Sequence, residues 1–368
     1  MIVYFSDFDL RGSGYMGIGV KLCQGLADRG RDVLVFGMGY KGQPHDYGFR
    51  LCPARFKSIP QIMKVLPTAP DTKIEAWVTA FDIPLQLGIL FNVPDPGPIP
   101  RIGIFPIEAD PLCDTWAMRL MMFDKRLIIS EFGVREATKA GIDALHLPIG
   151  IDLDFWKPTS PDERTNLRKA MEFEDKFVVL TVADNHERKN LSRSMEIFAD
   201  VAKELDAIYL LVTRQNSPVG WVLHDLAATL GISERFFVWE RGIEAEELRD
   251  LFWVSDCFLL ASKAEGLGMP ILEALAVELP VVATKCTALE DHLKDRRGFA
   301  VEPDYVIVDP WGNSNRYFMS REKGAAALRK IANASQEQLR TMGARGRAYA
   351  ETRVWSLAVD VLERAIYE

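Results

Sequence analysis

Apolar positions fall into short continuous runs that alternate with longer amphipathic stretches. Residues 2–5 (IVYF), 32–36 (DVLVF), 74–79, 101–105 and 126–130 form the first set of runs. Residues 177–182 (FVVLTV), 207–213 (AIYLLVT), 236–239 and 257–261 (CFLLA) form the second. Runs of this length bounded by turn formers predict strands buried on both faces, as in a parallel sheet. The stretches between them carry helical periodicity: VKLCQGLADRG ending at Gly30, residues 131–140, EAEELRDLFWV before 257, and 354–367 with Trp355, Leu357, Val361 and Leu362. Strand and helix in alternation predict an α/β chain with doubly wound sheets. Residues 38–72 are rich in Gly, Pro and isolated charges and show no period, and NVPDPGPIP (92–100) reads as a stiff surface connection. Apolar residues between Trp116 and Phe123 recur at helical spacing with few basic neighbours, so core packing rather than a membrane face is expected there.

One stretch organises the rest. CFLLA leads through Ser262-Lys263 into EGLGMPILE (265–273), which predicts strand, tight glycine loop and helix N-terminus. Gly266 and Gly268 permit turns that bulkier residues resist, and Pro270 suits a first helical turn. Such a turn aims free N–H groups and a positive helix end at one point, where anions bind. Glu265 and Glu273 flank it, Glu273 in the predicted first helical turn. Carboxylates there can accept from sugar or ribose hydroxyls. Equally, the helix dipole alone favours a first-turn Glu273, and Glu265 can cap the turn.

Two further places carry candidate chemistry. SDFDLRGSGYMGIG follows the first predicted strand, where doubly wound sheets bind ligands. Its glycines do not form G-x-G-x-x-G in frame with an acidic residue after the second strand, which argues against a dinucleotide. Arg188 and Lys189 fall at a predicted helix start in ADNHERKNLSRSMEIF. Cations there oppose the dipole, so some anion is expected beside them.

Composition narrows the class. The chain has 368 residues, room for two full cores, with 48% hydrophobic and 26% charged residues. A net charge of -8 argues against nucleic-acid binding by bulk charge, though not against a local basic groove. Five scattered cysteines form no C-x-x-C pair and five histidines show no ligand spacing, so neither a disulfide framework nor a metal site is expected. No run of 18 apolar residues occurs. With strand-like IVYF directly after Met1, no signal peptide is expected and the reading is cytoplasmic.

EGLGMPILEALAVELPVVAT resembles the E-x7-E signature of retaining GT-B glycosyltransferases, in particular family 4 (glycosyl transferases group 1). The resemblance is closest from 177 to 284, fair over LPIGIDLDFWKP (147–158), which is similar to the family's hinge, and thin elsewhere in the first half. It implies two Rossmann-like domains facing across a cleft: an acceptor domain, 1–152 with 354–368 crossing back, and a nucleotide-sugar domain, 153–353. It also implies that Glu265, Gly266, Leu267 and Gly268 meet the sugar-diphosphate and that Glu273 meets the ribose. Lys189 stands at the family's diphosphate lysine. Asp184 stands where the family has an Arg, a departure for which Arg188 or Arg214 could supply the charge. Residues 241–243 lie where backbone groups hold the base. Ser13-Gly14 falls where the family has Gly-Gly beside the donor phosphates and the acceptor. The family's first-domain His is missing from 105–111, leaving Glu108 and Asp110 to orient the acceptor hydroxyl or the donor sugar.

The implied reaction is retaining transfer from a UDP- or GDP-sugar to a hydroxyl, with no metal or other cofactor and with a sugar, lipid-linked or small-molecule acceptor. Three alternatives stay open. One is glycosylation of a hydroxymethylated DNA base, read by an added loop at 305–317 with Arg55, Lys57 and Arg101. The others are a sugar-nucleotide epimerase or phosphorylase, and a GT-B binding scaffold of weak activity.

Overall fold

The computed structural model describes residues 1–9, 14–90 and 98–368. They divide into two compact units: Met1–Gly150 with Pro310–Ser314 and Arg353–Glu368, and Ile151–Asp309 with Asn315–Thr352.

The first unit runs β1 (Ile2–Asp7), α1 (Gly14–Asp28), β2 (Val33–Met38), β3 (Arg50–Ala54), α2 (Ile59–Val65), β4 (Ala76–Ala80), α3 (Ile83–Leu90), β5 (Arg101–Phe105), α4 (Asp114–Leu120), β6 (Lys125–Ile128), α5 (Glu131–Lys139) and β7 (Leu145–His146). Its sheet is parallel throughout, in the order β3-β2-β1-β4-β5-β6-β7. The apolar runs supply its buried centre, with Val3, Phe5, Trp77 and Phe81 in one core cluster. Strand β3 lies in the stretch without period. It is an edge strand with mixed exposure, and the edge is where a sheet tolerates a proline such as Pro53. Helix α4 buries Trp116, Ala117 and Leu120, which is the packing role read from 116–123, while Met118 and Met121 stay exposed.

The second unit runs α6 (Pro161–Ala170), β8 (Phe177–Val182), α7 (Leu191–Val201), β9 (Ala207–Thr213), α8 (Leu223–Thr229), β10 (Phe236–Glu240), α9 (Ala245–Val254), β11 (Cys257–Leu260), α10 (Met269–Ala276), β12 (Val281–Thr284), α11 (Thr287–Leu293), β13 (Phe299–Val301), β14 (Pro303–Asp309), β15 (Ser314–Met319), α12 (Arg321–Ala332) and α13 (Gln336–Glu351). Its six-stranded sheet is parallel in the order β10-β9-β8-β11-β12-β13. Every residue of β9, β11 and β12 is buried, because helices cover both faces. Strands β14 and β15 form a separate two-stranded ribbon, so the predicted loop at 305–317 is a hairpin.

The last helix, α14 (Trp355–Tyr367), belongs to the first unit. Arg29 and Arg31, at the end of α1, both pair with its Glu363, at 2.8 and 2.7 Å. Among the described residues no helix is long and apolar enough to cross a membrane.

Strand order sets where ligands can sit. In the second unit β8, β9 and β10 build outward one way, and β11, β12 and β13 the other. The chain therefore leaves the sheet on opposite faces after β8 and β11, opening a crevice at their carboxyl ends. In the first unit the same switch falls between β1 and β4.

Candidate functional site

The glycine loop leaves β11 at the switch point. Gly268 takes φ 87° and ψ 57°, a left-handed conformation that a side chain resists, and helix α10 starts directly after it. The amides of Gly266, Leu267 and Gly268 donate to no group among the described residues. Three free N–H groups thus stand at the positive end of α10, an arrangement that favours an anion.

Across the crevice, β8 leads into a tight turn, Glu187–Lys189, capped by His186, whose Nδ1 accepts the Arg188 amide at 3.2 Å. The turn is tied to the β11 side by the Lys263 amide, which donates to the Arg188 carbonyl at 2.8 Å. Arg188 Nη1 donates to the Ala264 carbonyl at 2.6 Å and to Glu265 Oε2 at 3.0 Å, and Lys189 Nζ donates to Glu265 Oε1 at 2.6 Å. The anion expected beside Arg188 and Lys189 is therefore present within the chain. Glu265 is 4% exposed. Burial raises its pKa, but the Lys189 and Arg188 charges outweigh it and hold the carboxyl at about 2. Its own amide donates to Thr287 Oγ1 at 2.8 Å.

Glu273 requires a correction. Helix α10 starts at Met269, so Glu273 lies beyond the first turn, and the dipole explanation loses most of its force there. Its carboxylate, only partly exposed, has no partner among the described residues. Burial pushes it up to about 7.

Arg188 and Arg214 part company. Arg214 Nη2 donates to Asp184 Oδ2 at 2.9 Å, and Arg241 lies 3.6 Å from the same oxygen. The Asp184 carboxylate is thus compensated by two guanidinium groups, and only Arg188 is brought to the Glu265 side. The Arg241 amide donates to the Thr213 carbonyl at 2.8 Å, which fixes the start of the 241–243 segment.

In the first unit Gly14 opens α1 at the carboxyl end of β1, and a Cβ there would meet nothing within 4 Å. Ser13, Gly12 and most of the 92–100 connection lie outside the described residues. Tyr15 donates to Asp82 Oδ1 at 2.7 Å, linking the segments that follow β1 and β4. Glu108 and Asp110 follow β5, both partly buried. No group of three or more His, Cys, Asp or Glu residues is placed to hold a metal among the described residues.

Several contacts are invisible to local pattern. Lys263, almost fully buried, pairs with Glu187 and holds its ammonium 4.3 Å from the Phe318 ring centre. His292 Nε2 lies 2.7 Å from the Leu267 carbonyl in the glycine loop. Thr287, His186 and these two residues carry no spacing signal. A lysine at the end of a core strand is the one available clue.

Comparison with known proteins bears on the family and the fold. Residues 162–333 match the family model for glycosyl transferases group 1. This bears out the resemblance read from the E-x7-E stretch. The GDP-mannose-dependent alpha-(1-6)-phosphatidylinositol monomannoside mannosyltransferase of Mycolicibacterium smegmatis is 29% identical over 183 residues, covering 48% of this chain and 47% of that protein. The chain spans about half the length of the curated relatives it matches. Sucrose-phosphate synthase from Thermosynechococcus elongatus superposes with a TM-score of 0.78 at 17% identity, over 99% of this chain and 97% of that one. Anabaena Alr3699/HepE, solved with UDP and glucose, gives 0.73 at 17% identity, over 99% and 98%. The fold is GT-B.

Proposed function

We propose that the protein is a retaining glycosyltransferase that moves a sugar from a nucleoside diphosphate donor to a hydroxyl acceptor without a metal. One observation carries this reading: three free amides of Gly266–Gly268 and the cations of Arg188 and Lys189 flank one switch-point crevice. A diphosphate matches that donor set in charge and in its many acceptor oxygens. Amides and cations that stabilise charge as it develops on the leaving group accelerate its departure.

Each residue then has a task. Glu265 holds Lys189 and Arg188 in place before the donor arrives and meets the donor sugar when it does. Lys189 and Arg188 supply the charge that a metal supplies elsewhere. Glu273, half-buried and unpartnered, accepts from the ribose hydroxyls. The 241–243 segment lies beside the base. The first unit takes the acceptor, with Gly14 leaving room at the start of α1 and with Glu108 or Asp110 orienting the hydroxyl. The named mannosyltransferase relative uses GDP-mannose, and the Anabaena structure holds UDP, so UDP and GDP are the donor nucleotides to test first.

The test is donor consumption. UDP-glucose, UDP-N-acetylglucosamine and GDP-mannose, labelled in the sugar, are incubated with the protein, EDTA and simple sugar acceptors, and products are followed by NMR. Loss of one α-linked donor with an α-linked product supports the proposal. A β-linked product removes retention, and three intact donors remove the activity.

A further inference from the structure

His292 is 3% exposed and lies on α11. Its ring is fixed from two sides. Nε2 lies 2.7 Å from the Leu267 carbonyl oxygen, and Nδ1 lies 3.1 Å from the Tyr349 hydroxyl. A carbonyl oxygen only accepts, so Nε2 carries the proton and donates it. Tyr349, from α13, meets the ring edge-on at 5.8 Å, and the Arg297 guanidinium stacks 3.9 Å from the centre of the Tyr349 ring. A chain of three side chains thus ends on one carbonyl of the glycine loop.

That carbonyl belongs to the peptide whose other half is the Gly268 amide. A trans peptide is planar, and its C=O and N–H point in opposite directions. Anchoring the Leu267 oxygen toward α11 therefore turns the Gly268 N–H the other way, out of the loop. Gly268 has φ 87°, with no side chain to lock its backbone, and the neighbouring Gly266 adds freedom. Without an anchor this peptide can rotate, and its amide then loses its direction.

We propose that His292 is a positioning residue for phosphate binding, which orients the Gly268 amide by holding the Leu267 carbonyl. This rests on the proposed nucleoside diphosphate donor. The relevant phosphate is the one beyond the nucleoside monophosphate, because the free amides sit at the loop rather than beside Glu273. A merely structural histidine would instead affect all ligands equally, through the stability of the fold.

The test compares nucleoside diphosphate with nucleoside monophosphate. Affinities of the full chain for UDP, UMP, GDP and GMP are measured by calorimetry for wild type, His292→Phe, His292→Gln and Tyr349→Phe. A glutamine amide can reach the Leu267 oxygen in place of Nε2, whereas phenylalanine keeps the ring and loses the donor. We expect His292→Phe to lower the ratio of diphosphate to monophosphate affinity by roughly tenfold, the scale of one well-aligned bond to a charged group. His292→Gln should restore most of it, and Tyr349→Phe should lower it by a smaller factor while leaving ring packing intact. An unchanged ratio in both His292→Phe and Tyr349→Phe overturns the proposal, as does a glutamine variant no better than phenylalanine. If His292→Phe does not fold, the glutamine and Tyr349→Phe proteins decide by the same ratio. If wild type binds none of the four nucleotides, the proposed function fails first and this inference falls with it.

Discussion

Lys189 Nζ lies 2.6 Å from Glu265 Oε1, although 76 residues separate the two in sequence. The pair bridges the carboxyl ends of β8 and β11. It puts one buried carboxylate against two cations, since Arg188 Nη1 reaches the other oxygen at 3.0 Å. Buried charges persist only when paired. The arrangement leaves one net positive charge on the three side chains, ready for an incoming anion.

Lys189→Ala removes the closest of those cations. Losing one such stabilising group slows charge-separating steps by about a hundredfold or more. Turnover of the donor should fall by that order in the variant, and wild-type turnover should survive EDTA. Kinetics with and without chelator check both parts. Wild-type activity that requires added magnesium or manganese contradicts the arrangement.

Glu273 should reveal itself through pH. Its folded-state pKa of about 7 lies above the ordinary 4.5, so the folded protein holds an extra proton between those values. The associated stability is complete below about 4.5 and is lost as pH rises through 7. Keeping the carboxylate ionised above pH 7 then costs the fold up to about 3 kcal/mol, at about 1.4 kcal/mol for each pH unit that separates the two values. Glu273→Gln should therefore match wild type in thermal stability near pH 4.5, exceed it near pH 8, and bind nucleotide more weakly near pH 8, where the wild-type side chain is ionised. Equal stability at pH 8 together with unchanged nucleotide affinity would return Glu273 to a purely structural role.

Gly268→Ala tests the loop itself. At φ 87° an alanine is strained, and its Cβ would fall 2.9 Å from Leu289 Cδ2. The expected cost is about 1–3 kcal/mol of stability, with a larger proportional loss of nucleoside diphosphate affinity than of nucleoside monophosphate affinity. Chemical denaturation and calorimetry on the same preparation measure the two effects.

The sequence makes the local half of this site legible and leaves the rest hidden. Gly266, Gly268 and Pro270 announce the loop because backbone chemistry is local. The charge conflict at Arg188-Lys189 predicts an anion, but its identity as Glu265 depends on which strands pair, which no local pattern states. The register that sets Cys257 beside Val179 and Phe258 beside Leu180 brings the two loops together. Sequence alone puts Glu273 in the first turn of its helix, whereas α10 already starts at Met269, directly after the left-handed Gly268, which leaves Glu273 as its fifth residue. Strand β3 escapes detection because an exposed edge strand has no apolar run to read. The 305–317 segment reads as a loop because the hairpin exposes Tyr305, Val306, Ile307 and Val308 on a ribbon outside either sheet. His292 and Lys263 act on backbone and charge across long separations, and neither has a spacing to betray it.

The central claim is that the β8/β11 crevice binds the diphosphate of a nucleotide through amides and side-chain cations alone. Calorimetric titration of UDP, GDP, UMP and GMP into the wild-type protein in EDTA measures this most directly. The account predicts that one base is preferred, that its diphosphate binds at least about tenfold more tightly than its monophosphate, the scale of one charge-assisted bond, and that chelator changes neither value. Equal affinity for diphosphate and monophosphate, or binding that appears only with added divalent metal, would contradict it.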